Sequence, residues 1–148
     1  MIIFRKGDLF DFDHQAYAHG VNSRGRMDAG IAVRFKGGYP KMFEEYSSAC
    51  ADGILKPGDI FFYHSDDKPS VYNLVTQKNL RSADAVFLEQ TVQKMYIHSM
   101  KNKITDIGMP LIGCGLGGLS VDTLTDILGK YFTYNDTDII LYSHHAAH

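Results

Sequence analysis

The chain has few cysteines, no long apolar run and no excess of charge of one sign, and each absence narrows its functions. Cys50 and Cys114 have neither the spacing of a metal site nor the number that a disulfide framework needs, and both suit a reducing compartment. No stretch approaches the roughly 18 apolar residues of a membrane span. The amino terminus also lacks the pattern of a signal peptide. We therefore expect a cytoplasmic protein with no membrane partner.

The charge balance argues against a polyanion as the main ligand. The 15 lysines and arginines nearly match the 17 aspartates and glutamates, and the formal net charge is −2. Such a chain has no basic field to attract nucleic acid, and it has no stripe of alternating basic and aromatic residues. We expect no long nucleic acid as the main partner. Nothing in the sequence requires a metal ion or a cofactor, and we expect neither, in a monomeric protein.

The apolar pattern of the 148 residues predicts one domain in which short strands alternate with helices. Ser82 or Asp84 can cap the third predicted helix, and Ser120 or Asp122 can cap the fourth. This order favours an α/β fold, a three-layer α/β/α sandwich with a mixed central sheet, over residues 1–143. Residues 144–148, HHAAH, are expected to form an exposed tail. Strands are predicted at 1–4, 16–21, 59–64, 71–75, 106–112 and 139–142, and helices from 29, 40, about 84 and about 121.

A glycine-rich loop at 110–120, PLIGCGLGGLS, is the first candidate for a binding site. Its glycines at 113, 115, 117 and 118 leave the backbone bare, which is costly unless something must approach closely. The loop follows a predicted strand and precedes a helix, so free N–H groups there suit a phosphate or diphosphate. The spacing matches G-x-G-x-x-G, but that fingerprint opens a first βαβ unit, and this loop lies near the carboxyl terminus. A tight turn without a ligand is the alternative.

A second segment, HGVNSRGRMDAGIA at 19–32, also allows close approach to the backbone where a loop meets a helix. Within it, Asn22 carries a donor and acceptors suited to sugar hydroxyls, and it is equally common in turns. His19 lies in an apolar strand and is either a hydrogen-bonded core histidine or a catalyst. Asp8, in KGDLF, can accept from an exocyclic amine such as that of adenine, or it caps a turn.

Three segments in combination resemble one family. They are KGDLF at 6–10, AHGVNSRGRMDAGIAVRFKGGYP at 18–40 and MPLIGCGLGGL at 109–119. Together they resemble the macrodomain, an ADP-ribose-binding α/β/α fold, and most closely the branch with terminal ADP-ribose protein glycohydrolase and related bacterial and phage ADP-ribose-processing proteins. The resemblance covers essentially the whole chain.

This resemblance implies ADP-ribose or an ADP-ribosylated substrate as the ligand, with residues for each part of it. Asp8 and Leu9 would bind the adenine, Asn22 would lie by the distal ribose, and Thr76 would border the pocket. Two loops would bind the diphosphate through backbone N–H groups, namely Ala29, Gly30, Ile31 and Ala32 in the first and Gly113, Cys114, Gly115, Leu116 and Gly117 in the second.

The chain departs from the family where chemistry is concerned. Relatives that hydrolyse glutamate-linked ADP-ribose have a lysine directly after the L-[IV]-T strand end and an acidic residue after G-C-G-L, and their covalent route needs both. Here Gln77 and Gly117 stand at those places, and Lys78 follows one place later. The remaining candidates for catalysis are Asp28, His19 and Lys78, although Asp28 is equally suited to cap a helix.

The resemblance therefore implies a hydrolase of an ADP-ribose derivative. Its substrate would be ADP-ribose-1″-phosphate or an ADP-ribosylated molecule, and a bound water would cleave it. The alternatives are a reader module that binds ADP-ribose without chemistry, and a domain that binds another nucleotide or RNA with the same loops.

Overall fold

One mixed sheet runs through the computed structural model, which describes residues 1–80, 82–114 and 118–143. Within those residues six strands lie in the order β1-β6-β5-β2-β4-β3. Only β3 is antiparallel to its neighbour, at one edge, and the other neighbours are parallel. The predicted tail 144–148 lies outside the described residues. The strands are β1 Ile2–Arg5, β2 Ala16–Asn22, β3 Ile60–Tyr63, β4 Ser70–Gln77, β5 Asp106–Pro110 and β6 Asp138–Tyr142.

Two of the four α-helices in the described ranges begin at a side chain that accepts from their first N–H groups. The Asp84 side chain accepts from two N–H groups at the start of α3, and Ser120 accepts from Thr123 at the start of α4. Pro40 occupies the first turn of α2, as predicted. Neither α1, whose N-cap Gly30 offers no side chain, nor α2, whose N-cap is Tyr39, has a side-chain cap. Within the described ranges the α-helices are α1 Ile31–Gly38, α2 Pro40–Ala51, α3 Ala85–Lys101 and α4 Val121–Phe132, with a 3₁₀ turn at Leu9–Asp11.

Two apolar clusters cover the two faces of the sheet. Strand β4 shows the division, because Val75 packs with the residues of α1 and α2, whereas Leu74 packs with those of α3 and α4. Alternate side chains of a strand point to opposite faces, so each face takes its own helical layer. The predicted three-layer α/β/α sandwich is confirmed. No helix among the described residues has both the length and the apolar character that crossing a membrane requires.

The order of the strands creates a crevice between β2 and β5. From β2 the chain continues to one side of the sheet, towards β4, and from β5 it continues to the other side, towards β6. The two strands pair only at Ala16 with Ile107 and Tyr17 with Gly108, so they part before their carboxyl ends. In open α/β sheets, ligands bind at such a switch point, outside the carboxyl ends of the strands.

Candidate functional site

The two glycine-bearing loops that the sequence singles out meet the end of β4 at the carboxyl edge of the sheet. The Ser23 N–H donates to the Gln77 carbonyl at 3.1 Å, which joins the loop after β2 to the end of β4. The loop after β5 reaches the same place, because a Cβ on Gly113 would lie 3.0 Å from the Cβ of Ala83. Parallel strands present their carboxyl ends at one edge, so the predicted loops converge on the crevice.

Helix α1 presents an uncapped amino terminus at this edge. Gly30 has φ +60° and ψ −143°, and no side chain caps the first turn of the helix. An added Cβ on Gly30 would meet nothing within 4 Å. The N–H groups of a first helical turn lack intrahelical acceptors and carry partial positive charge, so they favour an anion. The predicted first loop, 29–32, therefore exposes the backbone groups that a phosphate needs.

The second loop is held tightly at the ends that the structure describes. The Leu119 N–H donates to the Gly113 carbonyl at 2.9 Å, and Gly113 has φ +76°. Burial raises the pKa of the Cys114 thiol above its ordinary value, which keeps the thiol protonated near neutral pH. The tip of the predicted loop, Gly115, Leu116 and Gly117, lies outside the described residues.

Asp8 and Leu9 have different positions relative to the surface. One Asp8 carboxylate oxygen accepts the Phe10 N–H at 3.0 Å and the other accepts from Arg34, so Asp8 does cap a turn. Its side chain is still 19% exposed, and each carboxylate oxygen can accept more than one hydrogen bond. Leu9 is buried in the core and supports the segment from beneath. No sequence pattern points to Arg34, because its partner lies 26 residues away along the chain.

The Asn22 side chain organises the loop that follows it. Its Oδ1 accepts from the N–H groups of Arg24 and Arg26 at 3.0 and 3.3 Å, and its Nδ2 donates to the Arg26 carbonyl. The Tyr46 hydroxyl donates to the Asn22 carbonyl at 2.6 Å. The structure thus favours the role of Asn22 as a turn residue over a role in binding sugar hydroxyls. The loop it shapes is the one that leads to Gly30.

Thr76 lies beneath the crevice. It is buried, and its Oγ1 has no hydrogen-bond partner among the residues that the structure describes. A Cβ on Gly20 would lie 3.0 Å from this oxygen and 2.9 Å from Ile112. Gly20 is therefore needed for the close approach of β2 to its neighbours at the floor of the crevice.

His19 belongs to the core and not to the site. It has no exposed surface, its Nε2 lies 2.7 Å from the Asn73 Oδ1, and its ring stacks on Phe35 with centroids 3.9 Å apart. Burial lowers the pKa of His19 to about 4. A side chain with no exposed surface cannot touch a substrate, so the catalytic role predicted for His19 is corrected to a structural one.

Asp28 is exposed at the loop before α1. Its side chain is 47% exposed, and its carboxylate lies 2.6 Å from Arg26 Nε and 4.0 Å from Lys36 Nζ. The N-cap of α1 is Gly30, so the alternative in which Asp28 caps this helix is wrong. Two cations beside one carboxylate reduce the repulsion that a phosphate at the neighbouring helix terminus would meet.

A β-bulge changes the position of Lys78. Val21 pairs with Val75 but Asn22 pairs with Gln77, so Thr76 is an extra residue in β4. As a result the Ser23 hydroxyl donates to the carbonyl of Lys78, at 3.3 Å. Without the bulge, residue 77 would lie beside Ser23. The bulge therefore brings Lys78 to the register position that residue 77 would otherwise have.

The exposed Lys78 side chain has no hydrogen bond or ion pair with any residue in the described ranges. Across those same ranges, no group of three or more His, Cys, Asp or Glu side chains is arranged to hold a metal ion. Of the three residues predicted for catalysis, Asp28 and Lys78 therefore remain candidates.

Known proteins resemble the chain over nearly its whole length. The family model described as Macro domain matches residues 18–128. The ADP-ribose glycohydrolase OARD1 of Bos taurus is 31% identical over 146 residues, which are 96% of this chain and 91% of that protein. The DNA ADP-ribosyl glycohydrolase of Mycobacterium tuberculosis is 29% identical over 147 residues, which cover 96% of this chain and 42% of that protein.

A more distant relative and a solved structure complete the comparison. The ADP-ribose 1″-phosphate phosphatase of Candida albicans is 26% identical over 148 residues, covering 88% of this chain and 94% of that protein. The solved macrodomain of Mycobacterium tuberculosis DarG is 29% identical, with a TM-score of 0.88 over 96% of this chain and 97% of that one.

Proposed function

The chain belongs to the Macro domain family, and from this we propose that it binds ADP-ribose at the carboxyl edge of its sheet and hydrolyses ADP-ribose derivatives there. The family predicted from the sequence is confirmed. Its curated relatives are named as glycohydrolases of ADP-ribose and as a phosphatase of ADP-ribose 1″-phosphate, which supports a hydrolase. The cytoplasmic location and the monomeric state remain predictions.

The observation that supports binding most is the uncapped start of α1 beside the crevice. Gly30 supplies a backbone conformation that is essentially restricted to glycine, and no side chain caps the helix that follows it. A diphosphate bound between this turn and the loop after β5 would satisfy those groups. The adenosine would then extend towards Asp8, and the distal ribose towards Asn22 and Lys78.

The order of identities favours removal of ADP-ribose from a larger substrate over removal of a 1″-phosphate. The glycohydrolases are 31% and 29% identical to the chain, and the phosphatase is 26% identical. Both reactions would leave ADP-ribose as the product. The sequence argues against long nucleic acid as the main partner, whereas one relative is named for DNA, so protein and DNA substrates both enter the test.

Lys78 and Asp28 are the residues proposed to act on the distal ribose. An amine beside that sugar can stabilise negative charge on the leaving group, and an exposed carboxylate can move the protons of an attacking water. The covalent route of the glutamate-linked hydrolases also needs the acidic residue that Gly117 replaces. We therefore propose activation of water, with Lys78 as the electrostatic partner and Asp28 as the base.

The test combines binding with turnover. Purified protein is given glutamate-ADP-ribosylated protein, ADP-ribosylated DNA and ADP-ribose-1″-phosphate, and release of ADP-ribose or phosphate is followed beside a calorimetric Kd for ADP-ribose. Binding with no turnover on any of the three would support the reader alternative and overturn the hydrolase. Absence of both binding and turnover would overturn the whole proposal.

Variants at positions 77 and 78 test whether Lys78 is the lysine that acts on the substrate. Lys78→Ala is expected to lower kcat at least about a hundredfold, the usual scale for losing one catalytic side chain, with the Kd for ADP-ribose changed little. The exchange Gln77→Lys with Lys78→Gln should be as inactive, because the bulge pairs residue 77 with Asn22 and places residue 78 at the next register position, beside Ser23. Lys41→Ala, at the exposed start of α2, is the matched control. Full activity of Lys78→Ala would refute the assignment.

A further inference from the structure

A buried histidine outside the proposed chemistry connects three strands. The side chain of His14 is 3% exposed. Its Nδ1 lies 2.8 Å from Asp106 Oδ1 at the start of β5, and its Nε2 lies 2.5 Å from the Tyr142 hydroxyl at the end of β6. That hydroxyl also accepts from Arg5 Nη1 of β1, at 3.0 Å. The four side chains form one chain of hydrogen bonds across the face of the sheet.

The two ends of this network have fixed roles. Arg5 can only donate, so the Tyr142 oxygen accepts from it. At the other end, the Asp106 carboxylate accepts from His14 Nδ1. Burial raises the pKa of Tyr142, which keeps the hydroxyl proton in place. Because both ring nitrogens are engaged, the network fixes the orientation of the His14 ring.

The ring also fixes the segment that carries Asp8. We call residues 8–15 the β1–β2 segment, and it crosses the sheet over Gly108 of β5. A Cβ on Gly108 would lie 2.5 Å from His14 Cδ2 and 2.9 Å from Leu9 Cδ1, so both side chains rest directly on the bare backbone of one residue. Between them, the Phe12 carbonyl accepts from the Tyr17 hydroxyl at 3.0 Å. A shift of His14 would therefore be transmitted to Leu9 and to its neighbour Asp8.

We propose that His14 is a positioning residue for recognition of the adenine base, and that it acts by holding the β1–β2 segment at the depth from which Asp8 meets the ligand. This inference rests on the proposed function, since it needs an adenine at Asp8. His14 touches no part of the ligand. Its contribution is to the choice of base and not to the affinity for the diphosphate and the distal ribose.

A pair of ligands separates this role from a merely structural one. ADP-ribose carries the exocyclic amine that Asp8 would accept from, and inosine diphosphate ribose carries a carbonyl in its place. Wild-type protein is expected to prefer ADP-ribose about tenfold, the scale of one hydrogen bond to a charged group. In His14→Ala the Kd for ADP-ribose should rise about tenfold, whereas the Kd for inosine diphosphate ribose should stay within about twofold.

A second variant and a control complete the experiment. Tyr142→Phe removes one hydroxyl and keeps the ring, so it should reduce the preference in the same direction even if His14→Ala fails to fold. His64→Ala changes a histidine that is 70% exposed and should leave both Kd values unchanged. Equal losses for both ligands, or a preference that survives in both variants, would overturn the proposal.

The wild-type protein distinguishes failure of this inference from failure of the proposed function. If it binds neither ligand, the proposed function is overturned. If it binds both equally well, the proposed function stands, but Asp8 does not read the amine and His14 has no such role.

Discussion

His19 should make the domain lose stability in mild acid. Burial lowers its pKa in the folded protein to about 4, from an ordinary value of 6.5. At 1.36 kcal/mol per pKa unit, this difference corresponds to about 3 kcal/mol of unfolding free energy. That is a large share of the 5–15 kcal/mol typical of folded domains.

The free energy of unfolding changes with pH because the folded and unfolded states bind the His19 proton with different affinity. Between pH 6.5 and about pH 4 the unfolded chain protonates His19 and the folded protein does not. The unfolded state therefore binds more protons in this window, and the free energy of unfolding falls as the pH falls. The contribution of His19 is fully present above pH 6.5 and is lost towards pH 4. From near pH 7 to near pH 5 the expected loss is about 2 kcal/mol.

Urea denaturation at several pH values measures this effect. His19→Gln keeps a donor for the Asn73 oxygen, which now accepts from His19 at 2.7 Å, and it cannot titrate. Its unfolding free energy should be lower near pH 7 but should change with pH by about 2 kcal/mol less than that of the wild type. His64→Gln, at an exposed site, should leave the pH dependence unchanged. Identical pH profiles for wild type and His19→Gln would refute the reasoning.

Two further substitutions test the loop before α1. Gly30→Ala should cost about 1–3 kcal/mol because of the backbone conformation at φ +60°, and the Kd for ADP-ribose should rise; an unchanged Kd by calorimetry would contradict the phosphate assignment. Tyr46→Phe removes the hydrogen bond to the Asn22 carbonyl and should lower the unfolding free energy by about 1 kcal/mol in urea titrations. A Tyr46→Phe variant as stable as the wild type would mean that this bond has no net effect.

Features that depend on neighbours in the sequence were predictable. Asp84 and Ser120 were among the proposed caps, and both cap their helices because an N-cap bonds to N–H groups two or three residues ahead. The alternation of Leu74 and Val75 between faces likewise follows from strand geometry. The layers of the fold could be derived from such local signals.

Features that depend on pairing between distant segments were not predictable. The bulge at Thr76 exists only in the register between β2 and β4. From the sequence alone, Lys78 therefore lies one residue after the position at which the related hydrolases have their lysine. His19 was left between two roles because its burial against Phe35 requires the tertiary fold. The partner of Asp8, Arg34, lies 26 residues away and belongs to a different element.

The short pairing between β2 and β5 gives the bound ligand a structural role. The sheet consists of two three-stranded halves, β1-β6-β5 and β2-β4-β3, whose seam has only two paired positions. A molecule held by the loop after β2 and the loop after β5 spans that seam and joins the halves where the strands do not. Bound ADP-ribose would therefore hold the two halves of the sheet together and raise the free energy of unfolding of the domain.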